Sequence, residues 1–291
     1  MTVRRTVGKE GMKLAKKVIS VLACMGIAGM AFAGCGGGGT GIHVITREEG
    51  SGTRGAFTEL LGVVDENEED AIISSAEVTN STQVMITTVA GDRNAIGYIS
   101  LGSLSADVKA VQLDGVSATV ENVKNGTYKL ARPFNLAYKD TLSAAGEDFI
   151  DFIMSEQGQS IITAEGYIGA DDAPTYTASG MTGTVKLAGS TSVAPVMYKL
   201  QEAYMRLNSG VTVEVNEGGS SAGMTAAING ACDIGMASRD LTDSEKAELD
   251  FTTIATDGIA VIVNIENSVS NLTSEEVRKI YLGQLTNWSE R

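Results

Sequence analysis

Arg47-Glu48-Glu49-Gly50-Ser51-Gly52-Thr53-Arg54 follows a β-branched run, Ile42 to Thr46, and precedes a helical pattern. Far along the chain, Gly189-Ser190-Thr191-Ser192-Val193-Ala194-Pro195 repeats that setting after Val185 to Leu187. Each stretch reads as a strand–loop–helix corner. The first backbone N–H groups of a helix lack intrahelical partners and the helix dipole is positive there, so such a corner is a seat for an oxyanion. Two seats imply two lobes gripping one tetrahedral anion.

Two further loops share the composition. Gly218-Gly219-Ser220-Ser221-Ala222-Gly223 stands ahead of a helix, and Ser238-Arg239-Asp240 follows Asp233-Ile234-Gly235-Met236-Ala237. Arg47 offers a forked, permanent cation that matches two oxygens at once. Ser51, Gly52 and Thr53 add hydroxyls and N–H groups that approach closely; Thr191 and Ser192 do the same from the second loop. Glu49, two residues from Arg47, is placed to orient the guanidinium. One such loop is a turn with a helix cap. Four in one chain, with Ser/Thr donors at helix starts, point to an anion clamp.

The 291 residues suffice for one large core or two medium ones, and the 43% hydrophobic content is that of an ordinary globular protein. The formal charge is −14. Residues 1–34 carry six Lys/Arg and one acid, so the rest holds sixteen basic and thirty-five acidic residues, about −19. That argues against nucleic acid and anionic lipid headgroups as partners. An anion must be held by local dipoles and one or two arginines against a repelling field.

The beginning reads as an export signal: a basic stretch, the apolar run Val18–Gly34, then Cys35. Ala31-Phe32-Ala33-Gly34-Cys35 has the small residues of a bacterial lipobox, with Phe32 where Leu is usual, so Cys35 is the expected lipidation site. Met12 opens a more ordinary signal, Met-Lys-Leu-Ala-Lys-Lys, and competes with Met1 as the start. A retained membrane helix is the competing reading, although seventeen residues fall short of the roughly 20 a span needs. Cys24 leaves with the signal and Cys35 takes the lipid. Cys232 then stands alone as a buried small residue, with no disulfide and no metal-ligand spacing.

Along the chain, strand-like runs alternate with helical ones. Ala95–Ser100 reads as a buried strand, Phe134–Tyr138 as a strand, and Ala145–Glu165 as one long amphipathic helix. Asn80-Ser81-Thr82 reads as a helix cap. Gly169–Thr184 is a linker: small, polar and without periodicity. Val211–Val215 alternates as a half-buried strand, Ile259–Ile265 is a central strand, and Ser274–Tyr281 is a helix. The pattern predicts an α/β fold with largely parallel sheets and no internal repeat.

Gly219, Ser221 and Gly223 also fit Gly-x-Ser-x-Gly, the nucleophile elbow of α/β-hydrolases. That chemistry needs a histidine base, and His43, the single histidine, sits in a strand. No nucleophile–base pair, cofactor fingerprint or metal motif emerges, so a non-enzyme without cofactors is expected.

Arg-Glu-Glu-Gly-Ser-Gly-Thr-Arg (47–54), Gly-Ser-Thr-Ser-Val-Ala-Pro-Val-Met (189–197), Asp-Ile-Gly-Met-Ala-Ser-Arg-Asp-Leu (233–241) and Asp-Gly-Ile-Ala-Val-Ile-Val-Asn (257–264) resemble the phosphate-binding lipoproteins of bacterial phosphate ABC transporters. The resemblance covers residues 42–291 except the linker. It implies a type II periplasmic-binding-protein-like fold, two α/β lobes joined by two hinge strands near Leu130–Tyr138 and Gly258–Asn264. Their segments occur here in another order: what usually opens the mature protein begins at Val185, and Leu285–Glu290 ends the chain. A circular permutation is therefore expected. The organisation is then 1–34 signal peptide, 35–41 tether, 42–133 the main part of lobe two, 134–168 the usual C-terminal part of lobe one, 169–184 linker, 185–262 the usual N-terminal part of lobe one, and 263–291 the remainder of lobe two.

Residue by residue, the resemblance assigns Thr191, Ser192, Ser220 and Ser238 to phosphate from lobe one. Arg47, Ser51, Gly52 and Thr53 face it from lobe two, with Glu49, Arg54, Ser221, Arg239 and Asp257 in support. Well-studied members of the family carry an aspartate at the position of Ser238 that accepts the proton of hydrogen phosphate. Without it, selectivity is left to Glu49, Asp257 or hydroxyl orientation. The expected role is capture of inorganic phosphate and delivery to a permease by a monomer tethered outside the cytoplasmic membrane. A carrier of sulfate, molybdate or tungstate, a sensor without a transporter, and the hydrolase are the alternatives.

Overall fold

A computed structural model of the chain describes residues 41–291. The signal segment, Cys35 and the tether through Thr40 lie outside the described residues. The elements run β1 (His43–Arg47), α1 (Gly52–Leu61), β2 (Glu77–Thr79), α2 (Thr82–Gly91), β3 (Ala95–Ser100), β4 (Val108–Ala110), β5 (Gln112–Leu113), α3 (Val120–Lys124), β6 (Ala131–Tyr138), α4 (Ala144–Ile153) and α5 (Glu156–Ala164). They continue with β7 (Gly183–Gly189), α6 (Ala194–Leu207), β8 (Val211–Glu217), α7 (Ser220–Ile228), β9 (Ile234–Ala237), α8 (Asp243–Lys246), β10 (Asp250–Asn264), β11 (Asn271–Leu272) and α9 (Ser274–Tyr281).

Nine strands share one hydrogen-bonded sheet in the order β2-β1-β3-β10-β6-β9-β7-β8, with β4 also paired to β10. β1 is parallel to β2 and β3, and β7 is parallel to β8 and β9. Each triplet puts its first strand in the middle, so a repeat invisible in the residues exists in the topology. The centre departs from the parallel expectation: β10 is antiparallel to β3 and β6, and β6 to β9. A parallel neighbour requires a crossover connection, usually a helix, whereas β6 and β10 enter each triplet directly from the other half.

β10 is the element that joins the halves. Its residues Asp250–Gly258 pair with β6, and Ile259–Val263 pair with β3. Ile259–Val263 are fully buried, which accounts for the continuous apolar run. Separate cores flank the change of partner. One gathers Phe134, Phe149, Phe152, Leu187 and Tyr204. The other gathers Phe57, Tyr98, Val261, Ile280 and Tyr281, with the Phe57 and Tyr98 rings stacked at 4.0 Å. Each side chain of this size contributes on the order of 1.5–3 kcal/mol when fully buried.

The single helix expected over Ala145–Glu165 is two, α4 and α5. The apolar positions keep helical spacing across the break, which is why periodicity did not reveal it. Ser155 makes the break: its hydroxyl donates to the Phe152 carbonyl (2.6 Å) and accepts the Gly158 N–H (3.3 Å) as the cap of α5. Gly158 is required there, because a Cβ would stand 2.3 Å from the Phe152 oxygen.

The linker has no helix or strand before Gly183 but is fastened to the fold. Tyr176 packs edge-on against Phe152 and donates to Asp148 (2.7 Å), while the Pro174 carbonyl accepts the Glu156 N–H (2.8 Å). Ile42 N–H donates to the Thr286 carbonyl (2.7 Å), and Gly41 bridges to Asn287. The first described residues thus lie against the last ones.

Candidate functional site

Strand β1 ends at Arg47, which is 2% exposed. Its Nη2 donates to Thr191 Oγ1 at 3.0 Å, from one triplet to the loop that follows the other. Around this contact the structure gathers the loops predicted to act together. Thr53 Oγ1 is 2.8 Å from Ser192 Oγ. Ser190 Oγ donates to Ser238 Oγ (2.9 Å), and the Ser238 N–H donates to Ser220 Oγ (3.1 Å). Gly52 closes the cluster: a Cβ there would lie 2.3 Å from Ser220 Oγ and 2.8 Å from Ser238 Oγ. These residues are buried.

The starts of α1, α2, α6 and α7 meet at this cluster. Local sequence explains each start. Ser51 caps α1 by accepting the Arg54 N–H, which occupies a lone pair and leaves its hydroxyl hydrogen free to donate. Pro195 in the first turn of α6 carries no N–H where none is needed. Gly189 (φ 139°) and Gly219 (φ 86°) turn the chain out of β7 and into α7, and Gly189 has no space for a Cβ against the Met236 oxygen at 2.3 Å. The halves are also joined at the rim, where Ser221 N–H donates to the Gly50 carbonyl at 3.0 Å.

Thr82 and Arg132 belong to the arrangement and were missed in the sequence. Thr82 opens α2 and places its hydroxyl 3.3 Å from Thr191 Oγ1 and 3.4 Å from Ser192 Oγ. The signal was present, since Asn80-Ser81-Thr82 reads as a helix cap and so places hydroxyl donors at a helix start. Arg132 offered no motif, being one arginine in a strand.

Two supporting assignments are corrected. Glu49 is exposed, and the residue that grips Arg47 is Glu48, with Nε–Oε2 and Nη2–Oε1 both at 2.8 Å. The strand rule that puts residues i and i+2 on one face ends with β1 at Arg47, and in the turn beyond it the adjacent carboxylate folds back. Among the described residues, no acceptor bonds the remaining Nη1 of Arg47. Asp257 bonds none of the clustered hydroxyls directly. It takes Nε (3.2 Å) and Nη2 (3.0 Å) of Arg132 on one oxygen and Ser100 Oγ (3.0 Å) on the other. Burial draws the Asp257 carboxyl up and the Arg132 guanidinium down, each opposed by the charge of the other.

The remaining supporting residues form a second layer. Arg54 pairs with Asp70 (2.5 Å) and donates to the Arg47 carbonyl (2.9 Å). Arg239 grips Glu245 with two bonds (2.7 and 2.8 Å) and donates to Ser221 Oγ (3.1 Å). Tyr98 accepts the Arg47 N–H on its hydroxyl (3.2 Å), and burial pushes that phenol up to about 12.

Acyl transfer finds no support in this geometry. Ser221 is bound to Arg239, whereas His43 is exposed, stands at the opposite end of β1 from Arg47, and is bonded to Asp92. Hydroxyls, helix starts and a half-satisfied guanidinium are donors. Donors of this kind suit an anion.

A PBP superfamily domain matches residues 27–157 and 174–291. The phosphate-binding protein PstS 2 of Streptococcus agalactiae is 46% identical over 286 residues, which cover 94% of this chain and 98% of that protein. PstS 2 of Streptococcus pneumoniae is 43% identical over 288 residues, with the same coverage. The crystal structure of a phosphate-binding protein of a phosphate ABC transporter from Streptococcus pneumoniae TIGR4 superposes with a TM-score of 0.70 at 44% identity, covering 86% of this chain and 99% of that one. The chain belongs to the PBP superfamily and, within it, to the PstS phosphate-binding proteins.

Proposed function

We propose that the chain captures inorganic phosphate between its two halves and hands it to the permease of a phosphate ABC transporter. One observation carries this reading: Arg47 and Thr53 from one half meet Thr191 and Ser192 from the other at converging helix starts. The names of its relatives as phosphate-binding transport components support the choice of ligand and of a non-enzymatic role. Phosphate is held by Arg47, Ser51, Gly52, Thr53, Thr191, Ser192, Ser220 and Ser238, with Thr82 added. Closure brings the two sets of donors together by bending at β6 and β10.

The permuted order belongs to the same proposal. The contact of Ile42 with Thr286 supports it, because in the family's usual order the 285–290 segment runs on into the segment that starts here at Ile42, so the two should be neighbours. The fastened linker 169–184 then joins the original ends. Among the described residues no helix is long and apolar enough to cross a membrane. Attachment through a lipid on Cys35 and placement outside the cytoplasmic membrane follow from the lipobox-like sequence.

Titration calorimetry with phosphate, sulfate and molybdate between pH 5 and 8 tests the reading. Saturable one-to-one binding of phosphate is expected. Tight sulfate or molybdate binding with none for phosphate overturns it in favour of another oxyanion carrier.

A further inference from the structure

Arg132 and Asp257 stand opposite each other on β6 and β10, one residue before the point where β10 exchanges β6 for β3. Both are buried, with side chains 1% and 0% exposed. Their bonds run in two directions. On one side Ser100, the last residue of β3, donates to the free Asp257 oxygen at 3.0 Å. On the other, Arg132 Nη1 donates to the Ser238 carbonyl at 3.1 Å. The Ser238 N–H in turn donates to Ser220 Oγ, so both ends of that residue are clamped. A continuous chain, Ser100–Asp257–Arg132–Ser238, therefore runs from one half through the joining strands into the hydroxyl cluster.

We propose that Arg132 is a positioning residue of the anion site: it fixes Ser238, and through it Ser220, while the Ser100–Asp257 bond ties that placement to the closed arrangement of the halves. This rests on the reading of the hydroxyl cluster as the phosphate site. An ion pair needed only to hold two strands together would have no reason to spend a third donor on the Ser238 carbonyl. Guanidinium suits the task because its fork is rigid: Nε and Nη2 locked on a carboxylate fix the direction of Nη1. An ammonium at the same place reaches one partner well and does not aim a second bond.

The test compares wild type with Arg132→Gln, Arg132→Lys and Ser100→Ala by phosphate calorimetry, stopped-flow release, and hydrogen exchange of the segment around Ser238 in phosphate-free protein. Arg132→Gln is expected to weaken phosphate by about 10- to 100-fold, the range for losing a charge-assisted bond, chiefly through faster release. Arg132→Lys recovers part of that loss. Ser100→Ala keeps the ion pair and accelerates release several-fold. Exchange at Ser238 rises in the Arg132 variants. A folded Arg132→Gln protein with wild-type release and wild-type exchange at Ser238 overturns the proposal; should that variant not fold, unchanged release in Ser100→Ala does so. Exchange at Ser238 is read without ligand, so failure of wild type to bind phosphate would refute the functional reading and leave this test standing.

Discussion

Arg47 Nη2 lies 3.0 Å from Thr191 Oγ1 although 144 positions separate them in the chain. The contact joins the end of β1 to the turn after β7, the middle strands of the two triplets. An arginine so buried needs more than one acceptor. Glu48 supplies two bonds and Thr191 one, and among the described residues Nη1 bonds no acceptor.

That geometry predicts the effect of keeping charge while losing shape. Arg47→Lys retains the cation but cannot hold Glu48 bidentately and aim a further donor at the same time. Phosphate affinity measured by calorimetry should fall about 100-fold or more, and a loss below about threefold would mean that the fork is not used.

Gly52 leaves no room for a side chain between the halves. It opens α1 with ordinary helical backbone, so alanine is locally acceptable, yet its Cβ would meet Ser220 and Ser238 at 2.3 and 2.8 Å. Gly52→Ala should therefore fold with near wild-type thermal stability in the absence of phosphate while binding phosphate at least about tenfold more weakly. Equal affinity would show that the halves need not approach this far.

Gly189 behaves differently. Its φ of 139° and the Met236 oxygen 2.3 Å from any Cβ make alanine strained within one half. Gly189→Ala should cost about 2–4 kcal/mol of stability, read as a lower denaturation midpoint with or without phosphate.

Glu245 gives a pH signature. Burial alone would raise its carboxyl, but the hydrogen bonds from Arg239 and the Thr242 N–H prevail and hold it below the ordinary value of 4.5. A depressed folded value stabilises the protein above the unfolded pKa, and that gain disappears as pH falls through the folded one. The melting-temperature difference between wild type and Glu245→Gln should thus be largest near neutrality and shrink as pH falls below the ordinary carboxylate value. A difference that grows with acidity contradicts the Arg239 clasp.

Cys232 serves as a control. Burial pushes its thiol up to about 11, with Asp233 adding to the effect, so thiolate reagents at pH 7 to 8 should react slowly unless the protein unfolds. Cys232→Ser should leave phosphate affinity within about twofold.

Much of the site was legible because donors at helix starts leave a local signature of Gly, Ser and Thr after a β-branched run. Arg47, Thr53, Thr191, Ser192 and Ser220 lie in such stretches, whereas Ser238 follows β9 with no helix start beside it; the structure brings all six together. Partnerships set by direction were not legible. Whether Glu48 or Glu49 reaches Arg47 depends on where β1 stops, and whether Asp257 serves the anion or Arg132 depends on the register of β6 against β10. Parallel triplets could be read from alternating elements, but the antiparallel centre could not, since β10 looks the same in sequence whichever neighbours it takes. The break between α4 and α5 was hidden by an apolar rhythm that continues across Ser155.

The central claim is that both halves hold one anion, and phosphate calorimetry of Arg47→Ala beside Thr191→Ala tests it most directly. The account predicts that Arg47→Ala abolishes measurable binding and that Thr191→Ala, from the other half, weakens it by at least about tenfold. Wild-type affinity in either folded variant would contradict it.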